Sequence, residues 1–142
     1  MKIPTPDEFA AYKGAHCFQL WASTASDWRC PGCDRNKFEL LRWTTRFPRS
    51  PKAFKDWMAG LHRHHDHSVD HFERGTRRFV ETVICDQCNA ADGAAKRILK
   101  LPAKFSFAPP EIRAFVVARP HGKHQINYEI ARAIFESLRL FW

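Results

Sequence analysis

Four cysteines in two C-x-x-C pairs, Cys30 and Cys33 in CPGC and Cys85 and Cys88 in CDQC, constrain this chain more than any other feature. Paired motifs of this kind read as one structural zinc held by four thiolates. Pro31 and Gly32 permit the tight bend that brings two sulfurs to one ion. The fifth cysteine, Cys17, is left over and reads as a small buried hydrophobe. The opening MKIPTPDEF has no hydrophobic signal core, which predicts a reducing, cytoplasmic setting where such pairs hold metal rather than disulfides.

At 142 residues the chain is expected to form one domain over 1–142, with a core at about 30–101 and a C-terminal helical extension at about 109–142. With 44% hydrophobic and 13% aromatic residues it is not a disordered tail. A net charge of +8 and a pI near 9.6 favour an acidic partner. No apolar run approaches the ~20 residues of a spanning helix, so nucleic acid is favoured over a membrane.

Local signals predict a mixed chain. Thr5, Pro6 and Glu8 announce a short helix ending near Tyr12 and Gly14. A strand is expected around Phe18 to Trp21, and another in FELLRWT. SPKAFKDWMAGLH reads as a helix capped by Ser50, with Phe54, Trp57, Met58 and Leu61 on one face. RRFVETVI reads as a strand, with Gly75 marking a turn before it. CNAADGAAKRILKL is helical and ends before Pro102; PPEIRAFVV is a second helix, and Asn127 caps a last one with Ile130, Ile134, Phe135 and Leu138 inward.

Five of the eight histidines, His62, His64, His65, His67 and His71, cluster just before the second knuckle. Alone they read equally as a solvated basic loop, a second zinc site or catalysis. Asn89 shifts the balance, because it follows Cys88 directly where a helix begins. HDH at 65–67 followed by CDQCN at 85–89 gives a strand–turn–strand–helix segment.

This segment resembles the HNH, or ββα-metal, nucleases, in particular their zinc-bearing branch typified by phage recombination endonuclease VII. That likeness spans Cys30 to about Leu101 and implies an α+β fold with a zinc-anchored ββα-metal core and flanking helices. It places an Asp-His pair, Asp66 and His67, on the first strand or its end, and a metal-ligating amide at Asn89. The chemistry is consistent with these types. A neutral His67 takes a proton from water near pH 7. Asp66 and the Asn89 oxygen offer hard ligands to a catalytic Mg2+ or Mn2+, which stabilises the leaving oxygen. Asp92, one turn later, is a further candidate ligand. HHDH also permits the other register, His64 as ligand and His65 as base. Asp70 and His71 are candidates to orient His67.

Basic runs flank this site. Arg74, Arg77, Arg78, Lys96, Arg97 and Lys100 are the candidate DNA contacts, with Arg42, Arg46, Arg49, Lys52, Lys55 and Lys104 nearby in sequence. RPHGKHQ, with Arg119, His121, Lys123 and His124, is a second candidate contact loop. The expectation is a DNA endonuclease of restriction, phage or mobile-element type, plausible as a homodimer. The alternative is a non-catalytic zinc-ribbon nucleic-acid-binding module. A zinc scaffold for another protein, and a hydrolase with catalytic zinc on the histidines, are further rivals.

Overall fold

The computed structural model describes residues 1–67 and 77–139. It is an α+β arrangement of six short helices and three two-stranded antiparallel sheets among the described residues. No described helix is long and apolar enough to cross a membrane.

Helix α1 (Pro6–Ala11) begins where the Glu8 amide donates to Thr5 Oγ1 at 3.1 Å and the Thr5 amide donates to Glu8 Oε1 at 2.9 Å. The chain then turns at Gly14, whose φ is +82°. A Cβ there would lie 2.4 Å from Trp21 Cβ, so only glycine lets this turn lie against the next element. That element is a helix, α2 (Phe18–Ser23), and not the expected strand. FQLW is too short for its periodicity to separate the two. The helical turn swings Trp21 inward, where Tyr12 meets it edge-on at 5.0 Å.

FELL is also helical: Asn36 and Glu39 form a reciprocal cap that starts α3 (Lys37–Leu40), and the strand waits until Arg42. Strand β1 (Arg42–Arg46) pairs with β2 (Phe54–Met58). The helix expected over this second segment is therefore overturned. Ser50 is a turn residue whose Oγ accepts the Lys52 amide at 3.0 Å. Trp43 sits opposite Trp57 with ring centroids 5.1 Å apart. Cross-strand packing of this kind outweighs a weak local helix preference.

Strands β3 (Leu61–His64) and β4 (Thr82–Cys85) pair antiparallel, with Leu61 opposite Cys85 and His64 opposite Thr82. Cys85 caps α4 (Asp86–Ile98), so the order is strand, strand, helix. Asp70, His71, Arg74 and Gly75 lie outside the described residues. Lys100 takes a left-handed φ of 55° and the Leu101 amide reaches back to the Lys96 carbonyl at 2.9 Å, which closes α4 ahead of Pro102. Helix α5 (Pro109–Phe115) leads through β5 (Val116–Val117) to β6 (Gln125–Ile126) and α6 (Tyr128–Leu138), capped as expected by Asn127. On α6 the buried residue is Ala131; Ile134, Phe135 and Leu138 pack partly inward, whereas Ile130 is exposed.

The core gathers where these elements meet. Phe105, Phe107 and Phe115 are fully buried, with Phe107 meeting the other two at 4.8 and 4.9 Å. The backbone of Phe107 is gripped from both sides. His64 Nε2 lies 2.6 Å from its carbonyl oxygen, and its amide donates to Asp92 Oδ1 at 2.8 Å. One residue thus ties the end of β3 to the second turn of α4. Asp92→Ala leaves that amide buried without an acceptor, a loss of about 1–3 kcal/mol. Urea unfolding of the zinc-loaded protein should show this loss, and an unchanged midpoint would contradict it.

Candidate functional site

Two knuckles bring the four sulfurs together. In the first, the Asp34 amide donates to the Cys30 carbonyl at 2.6 Å, and Asp34 itself turns left-handed with φ 65°. A Cβ on Gly32 would lie 2.8 Å from Cys88 Sγ, so the backbone passes too close for any side chain. In the second, Cys85 ends β4 and Cys88 sits in the first turn of α4. The sulfurs of Cys30, Cys33, Cys85 and Cys88 all lie within 4.8 Å of one another. Cys30–Cys88 and Cys33–Cys85 are each 3.8 Å apart. Zn–S bonds of ~2.3 Å arranged tetrahedrally give sulfur–sulfur edges of about 3.8 Å, so the residues fit a structural zinc.

The surroundings suit an anionic metal–thiolate centre. Amides of Gly32, Cys85 and Cys88 point at sulfurs at 3.3–3.4 Å. Arg35 is buried, and donates from Nε to Cys33 Sγ at 3.3 Å and from a terminal nitrogen to Cys85 Sγ at 3.6 Å. Burial opposes its charge, but the neighbouring sulfurs more than offset this and raise its pKa above the usual guanidinium value. Its other terminal nitrogen holds the carbonyls of Arg119 and Gly122. His124 Nε2 lies 3.2 Å from Cys88 Sγ. Sequence reading missed Arg35; an arginine two residues past a C-x-x-C is the available signal. It placed His121 and His124 on a contact loop. Instead His121 is buried with Nδ1 2.9 Å from the Leu41 carbonyl oxygen, and His124 backs the cysteines. Nothing local in RPHGKHQ marks this.

Hydrogen bonding from Cys30 pushes Cys33 down, whereas hydrogen bonds to Cys30 hold Cys85 and Cys88 above the ordinary thiol range.

From the end of β3 onward burial alternates: His64 and Asp66 are buried, His65 and His67 half-exposed. The rings of His65 and His67 are 4.1 Å apart on the outer side. Asp66 is fully buried, and its Oδ2 accepts the Arg78 amide at 2.7 Å. His64 contacts a carbonyl through Nε2, which makes Nε2 the protonated nitrogen and leaves the lone pair on Nδ1. Burial pushes its pKa down, so the ring is neutral near pH 7. Asn89 is half-exposed in the first turn of α4, one turn before Asp92. Asp92 is engaged twice, by Phe107 and by Lys96 at 3.1 Å.

The candidate DNA contacts divide. Arg77, Arg97 and Lys100 are exposed. Arg78 forms a two-point ion pair with Glu111 at 3.0 and 3.1 Å and donates to the Ser106 carbonyl, so its charge is held internally. Lys96 is tied to Asp92. Arg74 falls outside the described residues. Cys17 is half-buried and lines a groove, less enclosed than expected.

Comparison with protein-family models, with characterised proteins and with solved structures gives no match. The geometry of the four sulfurs predicts one tightly held zinc per chain. Because zinc binds thiolates, loading it at pH 7 should release protons, and affinity should fall as pH falls. Calorimetry in buffers of different ionisation enthalpy measures this. No proton release, or a second zinc held as tightly, would contradict it.

Proposed function

We propose that the chain is a metal-dependent DNA endonuclease of the HNH type that hydrolyses phosphodiester bonds. The observation that carries this reading is the double grip on Phe107. It draws His64, at the end of β3, and Asp92, on the same stretch of α4 as Asn89, onto one residue. Residues distant in sequence are thus drawn to one backbone, with Asp92 on the helix that also carries Cys88 of the cysteine cluster.

Hydrogen bonding shifts the weight between the two registers of HHDH. Asp66 has no exposed surface and is engaged with the Arg78 amide. His64 has the arrangement typical of a ligating imidazole, one nitrogen on a backbone carbonyl and the other carrying the lone pair. We therefore assign the catalytic divalent ion to His64 and Asn89, and proton abstraction from water to His65, with His67 against it. Asp66 then braces the connection between β3 and β4. Asp92, with both oxygens engaged, positions the helix. When bound, the ion supplies Lewis-acid stabilisation of the phosphate and the departing oxygen. Asn89 contributes its oxygen without adding negative charge near DNA, and the start of α4 favours a phosphate.

One site cuts one strand, so cleavage of both strands asks for a pair of chains. A restriction, phage or mobile-element role suits a small nuclease of this kind. An imidazole ligand favours Mn2+ over Mg2+, whereas an Asp66 ligand would favour Mg2+. The test is nicking of supercoiled plasmid by zinc-loaded protein. Activity should be higher with Mn2+ than with Mg2+. His65→Ala and Asn89→Ala should each lower it about 100-fold or more with zinc retained. Absence of nicking with either ion, or full activity in both variants, would leave the non-catalytic zinc-ribbon reading in place.

A further inference from the structure

The ribbon of β1 and β2 gathers aromatic and basic side chains at its tip. Phe47, left-handed with φ 51°, and Phe54 are 55% and 49% exposed, with ring centroids 6.1 Å apart. The Arg46 guanidinium lies 5.3 and 6.0 Å from the two ring centres. Arg49, Lys52 and Lys55 are exposed around them, and no carboxylate occurs between Arg42 and Lys55. Exposed rings flanked along the hairpin by cations match a partner with flat π faces and negative charge, which is nucleic acid.

Two adjoining grooves lead from this ribbon to β3. One, of about 420 Å³, is lined by Lys13, His16 and Arg46 among others. The next, of about 550 Å³, is lined by His16, His62 and Arg63, and both share His16 and Phe18 as a wall. Arg46 Nη2 lies 2.8 Å from His16 Nε2 where the grooves meet. The first groove also holds two carboxylates, each hydrogen-bonded to Trp57. Glu8 accepts the Trp57 indole N–H at 2.8 Å, and Asp56 accepts the Trp57 amide at 2.7 Å. Past Arg63, the chain runs straight on to His65 and His67.

We infer that the hairpin tip and these grooves form a track for single-stranded nucleic acid. Unpaired bases stack on Phe47 and Phe54, and phosphates pass Arg46, His16, His62 and Arg63. The track's destination, His65 and His67, rests on the hydrolytic reading; its binding does not.

The experiment uses the full zinc-loaded chain in buffer without Mg2+ or Mn2+. Fluorescence anisotropy follows a labelled oligothymidylate of about twenty nucleotides and a blunt duplex of equal length. Phe47→Ala with Phe54→Ala should weaken single-strand binding about tenfold or more, and Phe47→Trp with Phe54→Trp should restore it. Arg63→Ala should lower the slope of log affinity against log salt by about 0.7. Single-strand affinity within about twofold of the parent in the alanine pair, or an equal loss on duplex, would overturn the track. Binding that depends on the two phenylalanines in a protein that nicks no plasmid would sink the hydrolytic reading and leave the track standing. Nicking with binding indifferent to them would do the reverse.

Discussion

Convergence of four sulfurs is the constraint on which the rest of this structure depends. The helices are short, each sheet has only two strands, and the described core is modest. A two-stranded ribbon is marginal alone. The β3–β4 ribbon gains its anchor because Cys85 ends β4 and caps α4 while reaching across to Cys30 and Cys33. Fixing that corner fixes the direction of α4, and with it the position of Asn89 and Asp92. Arg35 makes the corner tolerable by placing a buried positive charge against the thiolates and joining them to the loop at Arg119 and Gly122.

The far end of the ribbon is held differently, by hydrogen bonds to the backbone of one aromatic residue. His64 and Asp92 use polar groups that would be costly to bury alone, and Phe107 satisfies both. Arg78 and Glu111 extend this bracing to α5. Two inward residues, His64 and Asp66, and two outward ones, His65 and His67, therefore have different prospects. The inward pair is buried among protein groups, and the outward pair is half-exposed.

Much of this was legible in the sequence where a signal was local and chemically specific. The two C-x-x-C pairs named the four clustered cysteines. Thr5 with Glu8 named α1, and Asn127 named α6. The strand–strand–helix order around the second knuckle also emerged. What escaped was decided by distant contacts. Ser50-Pro51 has the residues of a helix start, yet Trp43 across the ribbon makes the following segment a strand. Phe18 to Trp21 becomes a helix because Trp21 must reach Tyr12 past Gly14. The hydrogen bonds of HHDH were not legible either, since the Asp66 carboxylate meets the Arg78 amide and the His64 ring meets the Phe107 carbonyl. Arg78 and Lys96 looked like phosphate contacts because their partners, Glu111 and Asp92, are set by the fold and, for Glu111, lie far along the chain.

The central claim is that a second metal sits where the end of β3 meets the start of α4. Anomalous X-ray diffraction from crystals grown with Mn2+, recorded at the zinc and manganese edges, tests it most directly. The account predicts a zinc peak among the four sulfurs and a separate manganese peak in bonding contact with the Asn89 oxygen and His64 Nδ1. Manganese found only among the sulfurs, or bound elsewhere with that corner empty, would contradict it.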